Sequence, residues 1–426
     1  MMKILSSYFL TALEKNGGLI AFITLIITII LCFIGFISKE RLKSKNIWMI
    51  IISTVFVLAA CPVLITTLQM RLNPRMFYEI AQAQLDDGKF EDAIRSFSRV
   101  IDIDEENYIS YYYRAQCNTA QFARATDSDN DMEFLLAAVG DYSVIIENLR
   151  PKMKHIVMTN EDINRFTHLI DNSVEVPDRE IAAMHVTVHE LQSSLPEIEL
   201  SPSHEKMLPS IFCAALCNRG ELARICDLYE ESIDDFSELI SLHPTSSTYF
   251  LRGLAELKSG EHEAALHDLS MSITLMPSSP ASYCNRALAR CGLKDFNSAL
   301  DDIDVACSLS ASNDYYLFIY GFIYAQSGDY SSALIKVNSA IANNQTNHRY
   351  YGYRGIINMY LGKYIDAVND FDDAIDLDKA VAEYFYHRGV AKMQISDIEG
   401  CEQDFQQAFY LGYPIDEDIR NALRLR

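Results

Sequence analysis

The spacing in this chain that most suggests chemistry is His185-Val-Thr-Val-His189, followed by Glu190. On a helix, two imidazoles four residues apart share one face and supply two ligands to a metal. His155, His168 and His204 lie in the same stretch. A metal site needs three or four converging ligands, and no further ligand motif accompanies the pair, so no metal is expected. Cys213 and Cys217 are also one turn apart, with Cys226 nearby. They fall at apolar helical positions, which makes them core thiols. No phosphate loop, dinucleotide fingerprint, nucleophile elbow or HExxH motif occurs. No catalytic residue is therefore assigned, no cofactor is expected, and the chain reads as a non-enzyme. An enzyme with its site within residues 152–212 is the weaker alternative.

A second residue type recurs in a pattern. Arg252, Arg286, Arg354 and Arg388 each precede a Gly or Ala. A regular row of guanidinium groups is able to bind a polymeric anion. The place of these Arg beside a close-packing column favours a structural role, bonding and stacking between neighbouring helices.

That Arg row is one column of a repeat. From Ser246 to Pro414 the sequence matches itself five times with a period of 34 residues. Numbering each copy from 1, position 8 is Gly253, Ala287, Gly321, Gly355 and Gly389. Position 20 is Ala265, Ala299, Ala333, Ala367 and Cys401; position 27 is Ser272, Ala306, Ala340, Ala374 and Ala408. Position 24 is apolar: Leu269, Ile303, Val337, Phe371 and Phe405. Small residues at three columns let two helices approach closely. Gly near position 15, as in Ser259-Gly260-Glu261 and Leu361-Gly362-Lys363-Tyr364, allows the left-handed cap between them. The period and pattern predict helix–turn–helix units.

These columns resemble the tetratricopeptide repeat (TPR) family, most clearly over Tyr283–Ala306. The expected fold class is all-α, a TPR-type helix–turn–helix solenoid of about eight helical pairs preceded by two transmembrane helices. The resemblance implies that the first helix of each pair lines a concave face through positions 2, 5, 9, 12 and 13. Carried onto this chain, it gives a partner-binding groove of Tyr78, Tyr112, Phe250, Leu254, Leu257, Phe318, Phe322, Ile356, Met359, Tyr386, Val390 and Met393. Such an apolar, aromatic groove suits a protein or peptide segment. Some members of the family clamp a partner's terminal carboxylate with Lys and Asn on this face. Here Lys258 stands nearly alone and Asn285 is at position 6, so that ligand is not expected.

The units need elements to position them. Residues 1–18 are a short lead; 19–37 and 47–70 are apolar runs long enough to cross a bilayer as helices. Between them, residues 38–46 carry Lys39, Arg41, Lys43 and Lys45. The positive-inside tendency puts this loop in the cytoplasm and the repeat domain outside, while eight cysteines with no evident pairing favour the alternative, a cytoplasmic repeat domain. Leu58-Ala59-Ala60-Cys61 is similar to a lipoprotein cleavage box, but the apolar run continues past it. Units 1 and 2 are expected at 74–151, with an insertion near 125–135 whose loop is Ala125–Asp131. An irregular helical segment follows at 152–212, then six units at 213–415 and a capping helix at 416–426.

The net charge is −22. That excludes nucleic acid as an expected partner. The acids read as a solubilising surface, with Asp301, Asp302, Asp304, Asp370, Asp372, Asp373 and Asp376 on solvent-facing second helices. The expected function is a membrane-anchored scaffold or adaptor, such as an assembly factor. A regulatory or sensory protein acting through its transmembrane hairpin is the alternative.

Overall fold

The computed structural model describes residues 73–124, 128–153 and 208–415, with side chains described from 133 onward in the second of these stretches. The lead, both apolar runs, the basic loop, the histidines from 155 to 204 and the capping helix lie outside the described residues. Among the described residues no helix is long and apolar enough to cross a membrane.

The described residues form sixteen helices. They are α1 (Pro74–Asp86), α2 (Phe90–Ile103), α3 (Tyr108–Arg124), α4 (Ser128–Met153), α5 (Leu208–Ile225), α6 (Tyr229–Leu242), α7 (Ser246–Ser259) and α8 (His262–Leu275). Next come α9 (Pro280–Gly292), α10 (Phe296–Leu309), α11 (Asp314–Gln326), α12 (Tyr330–Asn343), α13 (His348–Tyr360), α14 (Tyr364–Leu377), α15 (Ala382–Gln394) and α16 (Ile398–Tyr410). The chain divides into two compact units, with the boundary between Leu222 and Ala223. In the first, α1 packs on α2, α2 on α3 and α3 on α4. In the second, each helix from α6 to α16 packs on the next, which is an array of antiparallel hairpins.

The packing columns explain why these hairpins close. Ala265, Ala299, Ala333 and Ala367 are fully buried, as are Leu269, Ile303, Val337 and Phe371 opposite them. A methyl added at Gly355 would sit 2.8 Å from Cζ of Phe371, and one at Gly321 would sit 2.7 Å from Cγ2 of Val337. The absent side chain at position 8 is therefore the space that the position 24 side chain fills.

Where it is described, the turn after the first helix of a pair places one residue in the left-handed region. At position 15 this is Gly88, Asp227, Gly260, Lys294, Gly328, Gly362 and Ser396. Four are glycines, which adopt that conformation without a Cβ penalty. Lys294, at φ 62°, is not. Lys294→Gly is expected to stabilise the α9–α10 hairpin by about 0.5–1 kcal/mol, the left-handed cost less the entropy of the added glycine. Hydrogen exchange of that hairpin reads the change.

Two expected boundaries differ. Ser128–Asp131, read as loop, belong to α4, and the segment expected to be irregular from 152 to 212 begins and ends in helix, since α4 reaches Met153 and α5 starts at Leu208. The inserted residues lengthen the hairpin itself. α3 has 17 residues and α4 has 26, against 13 or 14 in α6–α16. The insertion lies at the turn end of both helices, so it rotates neither packed face out of the core. Ala138, Tyr142 and Ile145 are accordingly fully buried or nearly so.

Candidate functional site

The Arg column is consumed inside the fold. Arg286 donates from Nε and Nη2 to Asp302 at 2.8 and 2.7 Å. Arg388 does the same to Asp404 at 2.9 and 2.6 Å, and Arg252 to Asp268. Arg354 reaches Asp370 at 2.7 Å. Each Asp lies 16 residues after its Arg, on the second helix of the same hairpin. In the first unit the same pair is Arg114 and Asp141, 27 residues apart because the insertion lies between them.

The third guanidinium nitrogen reaches the preceding hairpin. Nη1 donates to Ser98 from Arg114, Ser237 from Arg252, Ser270 from Arg286, Asn338 from Arg354 and Asp372 from Arg388, at 2.6–3.3 Å. One planar fork thus ties three helices, which a lysine has too few directed donors to do. The rings at position 4 add to this. The guanidinium carbons of Arg286, Arg354 and Arg388 lie 5.3–5.5 Å from the ring centres of Tyr283, Tyr351 and Phe385. These groups are committed to bonds within the fold.

This corrects the reading of the acidic second helices. Asp302 and Asp370 are buried at 4 % exposure, as are Asp268 and Asp404. One copy departs from the scheme. Tyr320 replaces the Arg, and Lys336 replaces the Asp, with Nζ 3.8 Å from the ring centre. The ion pair becomes a cation–π pair at the same two positions.

The groove residues divide by depth. Tyr78, Tyr112 and Phe250 are buried, so they are core and cannot meet a partner. In the first unit the reason is local. Position 9 there is Gln, and Gln82 donates to the Tyr78 hydroxyl at 2.9 Å, while Gln116 donates to those of Tyr142 and Tyr112 at 2.9 and 3.3 Å. Asn218 donates to Tyr112 as well. With their hydroxyls satisfied, the tyrosines pack edge to face with Phe97, Tyr113 and Tyr142.

The second unit is different. Leu254, Leu288, Phe322, Ile356 and Val390 occupy position 9 of five successive first helices, and every one is partly exposed. Leu257, Phe318, Met359 and Tyr386 are partly exposed too, and Met393 is 41 % exposed. Position 5 lies deeper because it meets the next first helix. Phe318 stacks on Tyr350 at 4.9 Å and meets Tyr353 edge-on at 5.3 Å. Phe322 also borders Tyr353, at 5.9 Å. The exposed apolar row is therefore position 9, with an aromatic cluster of Phe318, Phe322 and Tyr353 at its middle.

Other chemistry is muted. Of the eight described cysteines, from Cys117 to Cys401, six are buried. Burial pushes the Cys307 thiol up to about 11, with Lys336 opposing, so it stays protonated at neutral pH. Cys213 and Cys217 are buried as expected for core thiols. Among the described residues no group of three or more His, Cys, Asp or Glu is placed to hold a metal.

The tetratricopeptide repeat family model matches residues 78–137. That match covers most of α1–α3 and the start of α4, outside the stretch where the period is clearest. No curated protein sequence matches the chain. Among solved structures, a tetratricopeptide repeat protein from Parabacteroides merdae is 20% identical, with a TM-score of 0.42, over 62% of this chain and 98% of that one. YrrB, described as a TPR protein with an unusual peptide-binding site, is 17% identical, with a TM-score of 0.36, over 44% and 97%. TTC0263, a TPR protein of Thermus thermophilus, is 14% identical, with a TM-score of 0.39, over 42% and 99%.

Proposed function

We propose that this chain is a membrane-anchored TPR scaffold that holds a segment of a partner polypeptide along the first helices of its second unit, as an adaptor or assembly factor. The observation that carries the reading is the unbroken row of partly exposed apolar side chains at position 9, from Leu254 to Val390. A row spaced one side chain per hairpin matches an extended or helical apolar segment lying across successive hairpins. Leu254, Leu257, Phe318, Phe322, Ile356, Met359, Tyr386, Val390 and Met393 are the contact residues. Anchoring rests on the two apolar runs, 19–37 and 47–70, and the four basic residues between them favour a hairpin array outside the cytoplasm.

The test is site-specific photo-crosslinking in intact membranes. A photoreactive residue at Phe322 or Ile356 is expected to capture one defined polypeptide, and the same residue at Asp301 is not. Adding Phe322→Gln or Val390→Gln elsewhere in the groove should weaken capture by about tenfold, the loss of one buried apolar contact of ~1.4 kcal/mol. Equal capture from Asp301, or full capture by a Phe322→Gln/Val390→Gln protein with unchanged helicity, removes the groove assignment.

A further inference from the structure

Position 11 of the hairpins holds a second partner for the buried Asp. Arg290 Nη1 lies 2.7 Å from Asp302 Oδ2, Lys392 Nζ 2.9 Å from Asp404 Oδ2, and Asn358 Nδ2 2.7 Å from Asp370 Oδ2. Each is a donor, and each satisfies the oxygen that the Arg fork leaves partly free. In the α7–α8 hairpin the same position is Glu256.

An acid there inverts the local electrostatics. Glu256 is 6 % exposed. Its Oε1 is 3.8 Å from Arg252 Nε, too long for a hydrogen bond, and its Oε2 is buried with no partner. Arg252 is already engaged by Asp268 through both Nε and Nη2. Two carboxyl groups therefore share one guanidinium away from water. The groups that face the site are Arg252 on α7, Asp268 on α8 and Glu261 in the turn. Tyr249 of α7 acts on Arg252, His267 Nδ1 lies 3.0 Å from Asp268, and the Ser237 hydroxyl of α6 accepts from Arg252. Asp268 has the donors. Glu256 has none within bonding distance and takes a proton.

We propose that Glu256 is a proton-dependent latch, which keeps the α7–α8 hairpin closed while it is a neutral acid and loosens that hairpin when it ionises. Burial first, then Asp268 and Glu261, push its carboxyl from an ordinary 4.5 up to about 8, with Arg252 opposing. Between those two values the folded hairpin binds one more proton than the unfolded chain. Its stability therefore falls as pH rises from about 4.5 and levels off above about 8, the window given by the shift. The latch sits on the hairpin that carries Leu254 and Leu257, so it would also set the pH range over which that end of the apolar row keeps its shape.

The test is hydrogen exchange by mass spectrometry on the full chain in detergent micelles, from pH 6 to pH 9. Wild type and Glu256→Gln are compared at each pH, so that the intrinsic pH dependence of exchange cancels. The wild-type to variant rate ratio for α7–α8 is expected to rise about tenfold or more across the range, with α9–α10, where Arg290 fills position 11, as the flat control. Glu256→Lys, which copies Lys392, should also flatten the profile, and it replaces the Gln variant if that protein does not fold. Failing both variants, wild-type α7–α8 against wild-type α9–α10 gives the same comparison. A ratio that stays constant from pH 6 to pH 9 overturns the proposal. Because hairpin opening is read without any partner, a failed latch and a failed groove are distinguishable.

Discussion

Asp302→Ala is expected to destabilise the hairpin array by about 3–5 kcal/mol, the cost of leaving buried charge uncompensated. Asp302 accepts from Arg286 through two bonds and lies 2.7 Å from Arg290 as well. Removing it strands two guanidinium groups in a site where their side chains are 16 % and 23 % exposed. The ion pairs themselves contribute far less than that figure suggests, because both charges were taken out of water to form them. The triple replacement Arg286→Met, Arg290→Met and Asp302→Leu is therefore expected to cost less than the single Asp302→Ala. Urea unfolding of the three proteins, with local exchange in α9–α10 to place the loss, decides between the two accounts. A triple variant less stable than the single one would mean that the Arg fork holds neighbouring hairpins together by more than charge balance. Arg286→Lys separates these further. It retains the charge but loses the fork, both the paired bonds to Asp302 and the Nη1 bond to Ser270, so any loss it shows measures directed bonding apart from charge.

The Arg column was legible in the sequence as structure, because it recurs once per period beside the Gly/Ala column. Its partner was not. Asp268, Asp302, Asp370 and Asp404 were hidden among other acids on the second helices, where Asp301, Asp372 and Asp373 make the same local impression. The signal that finds them is the fixed spacing of 16 residues, and it is sharpened by the exception, since Lys336 stands at the Asp position only where Tyr320 stands at the Arg position. Depth in the groove was half legible. Alternating aromatic residues on the first helix look alike in sequence. Burial at position 5 depends on the facing helix of the next hairpin, as when Phe318 stacks on Tyr350. The polar Gln at position 9 of the first unit was the available sign that Tyr78 and Tyr112 belong to a core, since a glutamine there has tyrosine hydroxyls to bond. The insertion near 125–135 was visible as lost phase. That it lengthens two helices was not legible, because Ala125–Asp131 is polar and reads as loop.

The same column logic makes the second large prediction. Phe371 is fully buried, with its ring filling the space above Gly355, where an added methyl would meet Cζ at 2.8 Å and Cε1 at 2.9 Å. Phe371→Ala is expected to cost about 3–5 kcal/mol, the transfer of the ring plus the cavity that the rigid hairpin cannot close. Gly355→Ala alone is expected to cost about 1–3 kcal/mol, since the ring has to move away from the new methyl. Neither change is destabilising by its nature, because the α9–α10 hairpin carries Ala287 opposite Ile303, both fully buried. Gly355→Ala with Phe371→Ile transplants that pair. The double variant is expected to be more stable than Phe371→Ala, and its cost should fall below the sum of Gly355→Ala and Phe371→Ile measured alone, with a coupling of about 0.5–3 kcal/mol. Thermal unfolding of the four proteins measures this. Additive costs would show that positions 8 and 24 do not share one volume, and the repeat columns would then need a different physical origin.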